Sequence, residues 1–185
     1  AIHLVCSGGL YYLIGRGMPP RSGLGQWAAG ATLFGTAYLG RLATGMLSAP
    51  PWALVLDAAM VLAALLFIAG LRQFLGQPPL HRRQLAFLLV VYALAYAAAV
   101  AWWGLVGRYG LLNVTLGLLY AALAYESLRA RPREFAGLRS PLLMLGLLMG
   151  TLGALTVARG LHIAGAGTEV MYQGLFAQVF YAFAS

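Results

Sequence analysis

The feature that most constrains this chain is its succession of long apolar runs, separated by short turns. The run 52–71, for example, carries one charged side chain, Asp57. About 20 apolar residues suffice to cross a bilayer. Inside it the backbone must satisfy its own hydrogen bonds, which leaves helices or a closed barrel. The runs do not alternate apolar with polar residues as barrel strands do, so the sequence predicts an all-α, polytopic membrane helix bundle.

Composition agrees with this fold class and leaves no mass for a soluble domain. Hydrophobic residues make up 62% of the chain and charged residues only 9%, against about 25% charged in soluble domains. Pro-Pro pairs at 19–20, 50–51 and 78–79 mark turns, because proline disfavours helix at and before its position. The breaks predict about seven transmembrane helices, over residues 1–15, 24–47, 51–75, 85–106, 109–128, 141–163 and 170–185.

The chain begins and ends inside apolar segments, so we expect the first and last helices to be truncated. Residues 1–185 would then form a single transmembrane domain, a fragment of a longer protein. Orientation follows from the basic residues, which are all arginine. They concentrate in the first, third and fifth loops, and cytoplasmic loops carry such an excess. We therefore predict an amino terminus outside and a carboxyl terminus in the cytoplasm.

Ionisable residues at membrane depth are the candidates for function, since they are costly there and usually face the bundle interior. Arg41 lies about seven residues before the turn at 48–51, and Asp57 about six residues after it. On adjacent antiparallel helices, the two side chains should lie at the same depth, because each residue rises 1.5 Å. This register predicts an ion pair between Arg41 and Asp57.

Other polar residues are expected at the same outer level. They are Arg159, with His162 three residues later, His3 at the start of the first helix, and Tyr38 three residues before Arg41. One interpretation is a pocket for a small anionic or amphipathic ligand, because two arginines exceed one aspartate. The other is a structural Arg41–Asp57 pair with Arg159 extending to the headgroups. A haem held by His3 and His162 is a further alternative.

Several functions are excluded or disfavoured by what the chain carries. No catalytic motif is present, so we predict no catalytic residues in this segment and no metal or cofactor site. Nucleic-acid binding is not expected, because the arginines sit in loops and orient the chain.

Several aromatic residues fall near helix ends and suit an interfacial aromatic belt: Trp27, Trp52, Trp102, Trp103 and Tyr109. Glu126 is interpreted as interfacial, and Gly146 and Gly150 as helix-packing residues within the bundle.

A resemblance adds a functional expectation. The segment 65–78, LLFIAGLRQFLGQP, together with Arg41 and the turn 49–52, APPW, resembles the multi-helix membrane sensor regions of bacterial GGDEF-domain diguanylate cyclases. The resemblance covers about residues 24–184. It implies a sensory input domain in the bacterial inner membrane, a homodimer, and a cytoplasmic output domain that makes cyclic di-GMP. It assigns no binding residues.

The sequence thus predicts an input domain that relays an extracytoplasmic or in-membrane signal to a cytoplasmic domain. Its partners would be membrane lipid and a small anionic or amphipathic ligand. The alternatives are a small-molecule transporter or channel, and a haem-binding membrane protein. A transporter needs a polar path through the whole membrane, whereas the ionisable groups gather in the outer half.

Overall fold

A computed structural model describes residues 2–19, 22–44, 52–78, 80–130 and 136–167, and it is helical almost throughout. Five α-helices follow one another: α1 (Ile2–Arg16), α2 (Leu24–Ala43), α3 (Trp52–Phe74), α4 (Arg82–Arg129) and α5 (Arg139–Ala166). A short 3-10 turn, Ala136–Leu138, leads into α5. The all-helical prediction is confirmed.

The prediction of seven separate helices is not supported. The predicted fourth and fifth spans, 85–106 and 109–128, both fall within the 48-residue α4, which is interrupted by a kink at Gly104. The predicted seventh span, 170–185, lies outside the described residues. The expected break near Arg108 is therefore misplaced by four residues. This error matters for function, because Arg108 belongs to a helix and not to a turn.

Gly104 sets the bend in α4. Its backbone angles, φ 57° and ψ −134°, interrupt the helix, and this left-handed region favours residues without a Cβ. The arms on either side, α4a (82–103) and α4b (105–129), pack against each other. Tyr92 and Tyr96 of α4a join Leu112 and Leu116 of α4b in one buried apolar cluster. The bend therefore converts one long helix into a hairpin.

Helix α3 is the centre of the bundle. Met60, Val61, Ala64 and Leu65 contribute to the cluster that also holds the α4 residues. Neighbouring helices pack in chain order, α1 on α2, α2 on α3, α3 on α4 and α4 on α5. Helix α3 therefore has a helix on each side, α2 and α4.

Close helix contacts depend on small residues. A Cβ at Gly153 would lie 2.8 Å from the carbonyl oxygen of Gly117, so the backbones of α5 and α4b touch at this point. A Cβ at Gly146 would meet the side chain of Leu128, and one at Gly150 would approach Ala124. The prediction that Gly146 and Gly150 serve packing within the bundle is confirmed.

Three of these helices are long and apolar enough to cross a membrane: α3, α4 and α5. Each arm of α4 holds more than 20 residues, about the length that one crossing requires. Large apolar side chains are exposed on the outward faces, including Phe87, Val90 and Leu94 on α4a and Met144 and Leu147 on α5. Exposing such a large apolar surface over two helices to water would be unfavourable, whereas lipid solvates it. The chain is a membrane protein.

Replacing Gly104 with alanine is expected to lower the free energy of unfolding by about 1 to 3 kcal/mol, because alanine is strained at this φ and ψ. No atom lies within 4 Å of the added Cβ, so the cost comes from the backbone alone. Gly9→Ala is the matched control, since that position is also open but lies inside a helix, where alanine is preferred. Titration with dodecyl sulfate in micelles would compare them, and equal stabilities would contradict the account.

Candidate ligand-binding site

Asp57 is the centre of a buried group of charges. Its side chain is fully buried, with 0% of its surface exposed. The Nε of Arg108 donates to Oδ2 at 2.8 Å, and Nη2 of the same guanidinium donates to Oδ1 at 3.3 Å. Nη1 of Arg41 lies 3.0 Å from Oδ1. One carboxylate of α3 is thus held by an arginine of α2 and an arginine of α4b, which joins three helices.

This trio carries one more guanidinium than carboxylate. Charged groups buried away from water are tolerated only when they are paired and well bonded. Arg108 meets that condition through its two-pronged contact, the strong geometry for an arginine and a carboxylate. Arg41 meets it in part, because Nη1 contacts the carboxylate and also Sδ of Met60 at 3.7 Å. Among the described residues, Nε of Arg41 has no hydrogen-bond partner.

Tyr109 lies beside both arginines. Its ring centroid is 5.2 Å from the guanidinium carbon of Arg41 and 5.2 Å from that of Arg108, within the range for a cation–π contact. The side chain is 1% exposed. Its hydroxyl is also buried and finds no hydrogen-bond partner in the described part of the chain. Two donors, Arg41 Nε and Tyr109 Oη, are therefore left without an acceptor.

A cavity of about 590 Å³ adjoins this group. Helices α2, α5 and α4b each turn one face toward it. On α2 and α5 the lining residues follow at steps of four, three, four and three, and those on α4b follow a similar spacing, which keeps them on one face of the helix. They are Trp27, Ala31, Phe34, Tyr38 and Arg41 on α2; Leu145, Met149, Leu152, Thr156 and Arg159 on α5; and Tyr109, Leu112, Asn113, Leu116, Tyr120 and Leu123 on α4b. His3, Leu4, Ser7 and Tyr11 of α1 and Met60 and Phe67 of α3 complete the wall.

The cavity is polar at one end and apolar at the other. The stripes on α2 and α5 each run 14 residues, about 21 Å, and each ends at an arginine, Arg41 or Arg159. The stripe on α4b runs in the opposite direction and begins beside Arg41 at Tyr109. At the far end, the wall consists of apolar side chains such as Leu123 and Leu145. The lining therefore matches a molecule with an anionic head and an apolar body.

Aromatic side chains close the apolar end of the α2 stripe. The ring of Trp27 lies edge-on to Phe67 at 5.3 Å and to Tyr11 at 6.2 Å, measured between centroids. These contacts join α1, α2 and α3 at the end opposite Arg41. Trp27 therefore lines the cavity and is only partly exposed. Trp52, Trp102 and Trp103 are 55%, 75% and 65% exposed, as belt residues would be.

Most of the residues expected at the outer level come together. The predicted Arg41–Asp57 ion pair is confirmed. Tyr38, Arg159 and His3 line the same cavity as Arg41, with Arg159 buried and His3 exposed at the rim. Arg159 is 9% exposed and so lies within the bundle. His162 is exposed and is not among the cavity residues. The residue that continues the four-three spacing after Arg159 is Ile163, which is buried.

Two residues of the site were not expected from the sequence. The predicted spans 85–106 and 109–128 left Arg108 in a turn, and Tyr109 was interpreted as a belt residue, whereas the structure buries both against Asp57 and Arg41. A turn at Gly104 would have placed Arg108 inside the following helix, but the sequence alone does not single out this glycine.

A second ion pair lies at the other end of α3. Nη1 of Arg72 is 3.3 Å from Oε1 of Glu126 on α4b, with both side chains partly exposed. Fifteen residues separate Asp57 from Arg72, about 22 Å along the helix, so the two ion pairs fix α3 to α4b near both ends. The interpretation of Glu126 as an interfacial residue near basic neighbours agrees with this contact.

Within the described ranges, no group of three or more His, Cys, Asp and Glu side chains could hold a metal ion. The two histidines proposed for haem are not brought together at the cavity, since only His3 lines it. Comparison of the chain with protein-family models, with curated proteins and with solved structures finds no match. The site therefore has to be interpreted from its own chemistry.

Proposed function

We propose that this chain is the sensory input domain of a membrane signalling protein, and that the cavity is its ligand-binding site. The observation that carries the proposal is the cavity of about 590 Å³ with buried arginines at one end. Its volume lies in the range of small-molecule sites, roughly 300–1,000 Å³. The side chains of Arg41 and Tyr109 line this space, and each keeps one buried donor without an acceptor among the described residues.

The apolar end of the cavity favours a receptor over a transporter or channel. A permeation path needs polar groups along its whole length to replace the water around a solute. Here the wall beyond Asn113 is formed by side chains such as Leu116, Leu123, Leu145 and Met149. A ligand would enter with its polar head at the arginines, and among the described residues the opposite end of the lining carries no charged side chain.

The relay would act through helix packing. The cavity is lined by side chains of all five described helices, which pack against one another in chain order. A ligand that binds one spacing of these helices better than another shifts the protein toward that spacing. In our proposal the last helix carries the shift to a cytoplasmic output domain, in a homodimer. The resemblance to sensor regions of diguanylate cyclases suggests an output that makes cyclic di-GMP.

The proposed location is the bacterial inner membrane, with the amino terminus outside, several crossings and the carboxyl terminus in the cytoplasm. Exposed arginines at the ends of α1, α4 and α5, such as Arg16, Arg83 and Arg139, support this orientation under the positive-inside rule. At the opposite end Arg41, Arg108 and Arg159 are buried in the bundle. Because these three arginines lie inside the bundle and not in loops, they do not count in the positive-inside rule and do not contradict this orientation.

Replacing Leu152 with tryptophan tests the function, because the larger ring would fill the middle of the cavity. The chain would be expressed within its natural protein in bacteria, and cellular cyclic di-GMP would be measured. We expect Leu152→Trp to change the level about fivefold or more, a typical coupling between sites. Leu148→Trp is the control, since Leu148 is exposed on the outer face of the same helix.

The comparison requires equal amounts of both variants in the membrane. Cyclic di-GMP levels that match the unaltered protein in both variants would contradict a sensory role for the cavity. A complete lack of cyclic di-GMP synthesis by the unaltered protein would contradict the cyclase as output.

A further inference from the structure

We infer that the arginine-rich end of the bundle binds anionic phospholipid, and that one such lipid lies along α4a with its phosphate at Arg82 and Arg83. Neither arginine lines the cavity, so this surface is separate from the proposed ligand site. It would bind lipid whether or not the cavity is occupied.

Three chain junctions bring the arginines of this end together. Leu80 precedes α4, Ala130 follows it and Leu138 precedes α5, and all three pack against one apolar cluster that contains Leu71 and Leu142. Exposed arginines flank each junction: Arg82, Arg83, Arg129 and Arg139. These four arginines, the basic end, therefore surround a single part of the surface.

Within the described ranges, no carboxylate neutralises the basic end. Glu126 is paired with Arg72, and Asp57 is buried in the trio at the opposite end of α3. The four arginines of the basic end form no ion pair with a described residue. Basic side chains at a membrane surface attract lipids that carry net negative charge. Zwitterionic lipids offer no net charge to attract.

An exposed apolar stripe continues from Arg83 along α4a. Phe87, Val90 and Leu94 follow Arg83 at steps of four, three and four residues, a spacing that keeps them on one helix face. Their side chains are 66%, 57% and 68% exposed. From Arg83 to Leu94 the stripe rises roughly 16 Å, about the depth of one leaflet in a hydrocarbon core of about 30 Å. One acyl chain therefore matches its length.

A recess lies at the charged end of this stripe, lined by His81, Arg82, Arg83 and Gln84. It offers a concave position for a headgroup phosphate, directly beside the apolar stripe. A soluble phosphate or an acidic peptide would contact the arginines alone. A phospholipid contacts the arginines and the stripe together, so the arrangement favours a lipid over a soluble anion.

A tryptophan placed on the stripe allows a direct test, because bromine quenches indole fluorescence on contact. Trp52, Trp102 and Trp103 can be changed to phenylalanine since they are exposed, and Phe87→Trp then supplies the reporter. The same chain without Phe87→Trp gives the background from Trp27. The full chain would be placed in bilayers of phosphatidylcholine mixed with brominated phosphatidylglycerol, and then with the bromine on phosphatidylcholine instead.

At low salt we expect phosphatidylglycerol to bind beside the reporter about fivefold or more tightly than phosphatidylcholine, which corresponds to the attraction of one arginine near the surface. Sodium chloride at about 1 M should reduce this preference, because it screens exposed charges. Arg82→Gln combined with Arg83→Gln should bring the ratio close to one. Arg82→Lys combined with Arg83→Lys should preserve it, since the charge remains.

Two controls separate a local site from the general charge of the protein. Arg16→Gln removes another exposed arginine, but from α1, which packs on α2, and it should leave the ratio unchanged. A chain that retains Trp102 in place of the Phe87→Trp reporter samples the other end of α4a, where this side chain is 75% exposed. The two lipids should quench Trp102 equally.

Three results would overturn the inference: equal binding of the two lipids beside the reporter, a ratio that the paired glutamine variant leaves unchanged, or an equal fall of the ratio in Arg16→Gln. An equal preference beside Trp102 would likewise contradict a site at the basic end. Displacement of phosphatidylglycerol by soluble glycerol phosphate would assign the arginines to a free anion and not to a lipid.

Discussion

Replacing Asp57 with asparagine is expected to lower the free energy of unfolding by about 3 to 5 kcal/mol, the range for breaking a buried ion pair. The side chain is fully buried and accepts from two guanidinium groups. Asparagine keeps the size but removes the negative charge, so Arg41 and Arg108 would repel each other with no carboxylate between them. Titration with dodecyl sulfate in micelles, followed by helical circular dichroism, measures the loss.

Glu126→Gln is the matched control for this variant. Glu126 also pairs with an arginine of α3, but the Arg72 and Glu126 side chains are 27% and 17% exposed. Pairs near the surface contribute about 1 kcal/mol or less. Equal losses in Asp57→Asn and Glu126→Gln would contradict the central position that we assign to Asp57.

Replacing Arg108 with glutamine is expected to cost about 3 kcal/mol or more, because Asp57 would keep one arginine and lose two of its three close contacts. The same change should cost much less in protein that already carries Asp57→Asn, since the carboxylate is gone. Contacting residues show such coupling energies of about 0.5 to 3 kcal/mol. Unfolding of the two single variants and the double variant would measure it.

The double variant shows whether Arg108 stabilises the bundle through its contact with Asp57. Losses that simply add would mean that Arg108 stabilises the bundle by packing and not through Asp57. Arg41→Gln provides a comparison within the same group, because Arg41 contacts the carboxylate through Nη1 alone. We expect its cost to be smaller than that of Arg108→Gln.

The Arg41–Asp57 pair could be predicted from the sequence because a short turn fixes the register of two antiparallel helices. The two residues lie at similar distances from that turn, and the 1.5 Å rise per residue places them at equal depth. No comparable register constrained Arg108, since the turn before it was placed too late. Sequence alone does not distinguish Gly104 from the other glycines of a chain that holds 24 in all.

The cavity was only partly foreseeable. Arg159, Tyr38 and His3 were expected at its polar level, because depth can be counted along each helix. The direction in which a side chain turns depends on how helices rotate against their neighbours, which counting residues does not give. Trp27 and Tyr109 were therefore assigned to the lipid interface, and His162 was grouped with Arg159. The four-three spacing that ends in arginine on α2 and α5 contained this rotational information.

The measurement that tests the account most directly is native mass spectrometry of the chain purified from bacterial membranes in mild detergent. We predict a species that carries one bound molecule. This species should be lost in Leu152→Trp, where the larger ring fills the cavity, and retained in Leu148→Trp, where it points outward. Only the mass of the bare chain, or a molecule retained equally by both variants, would contradict a ligand site in this cavity.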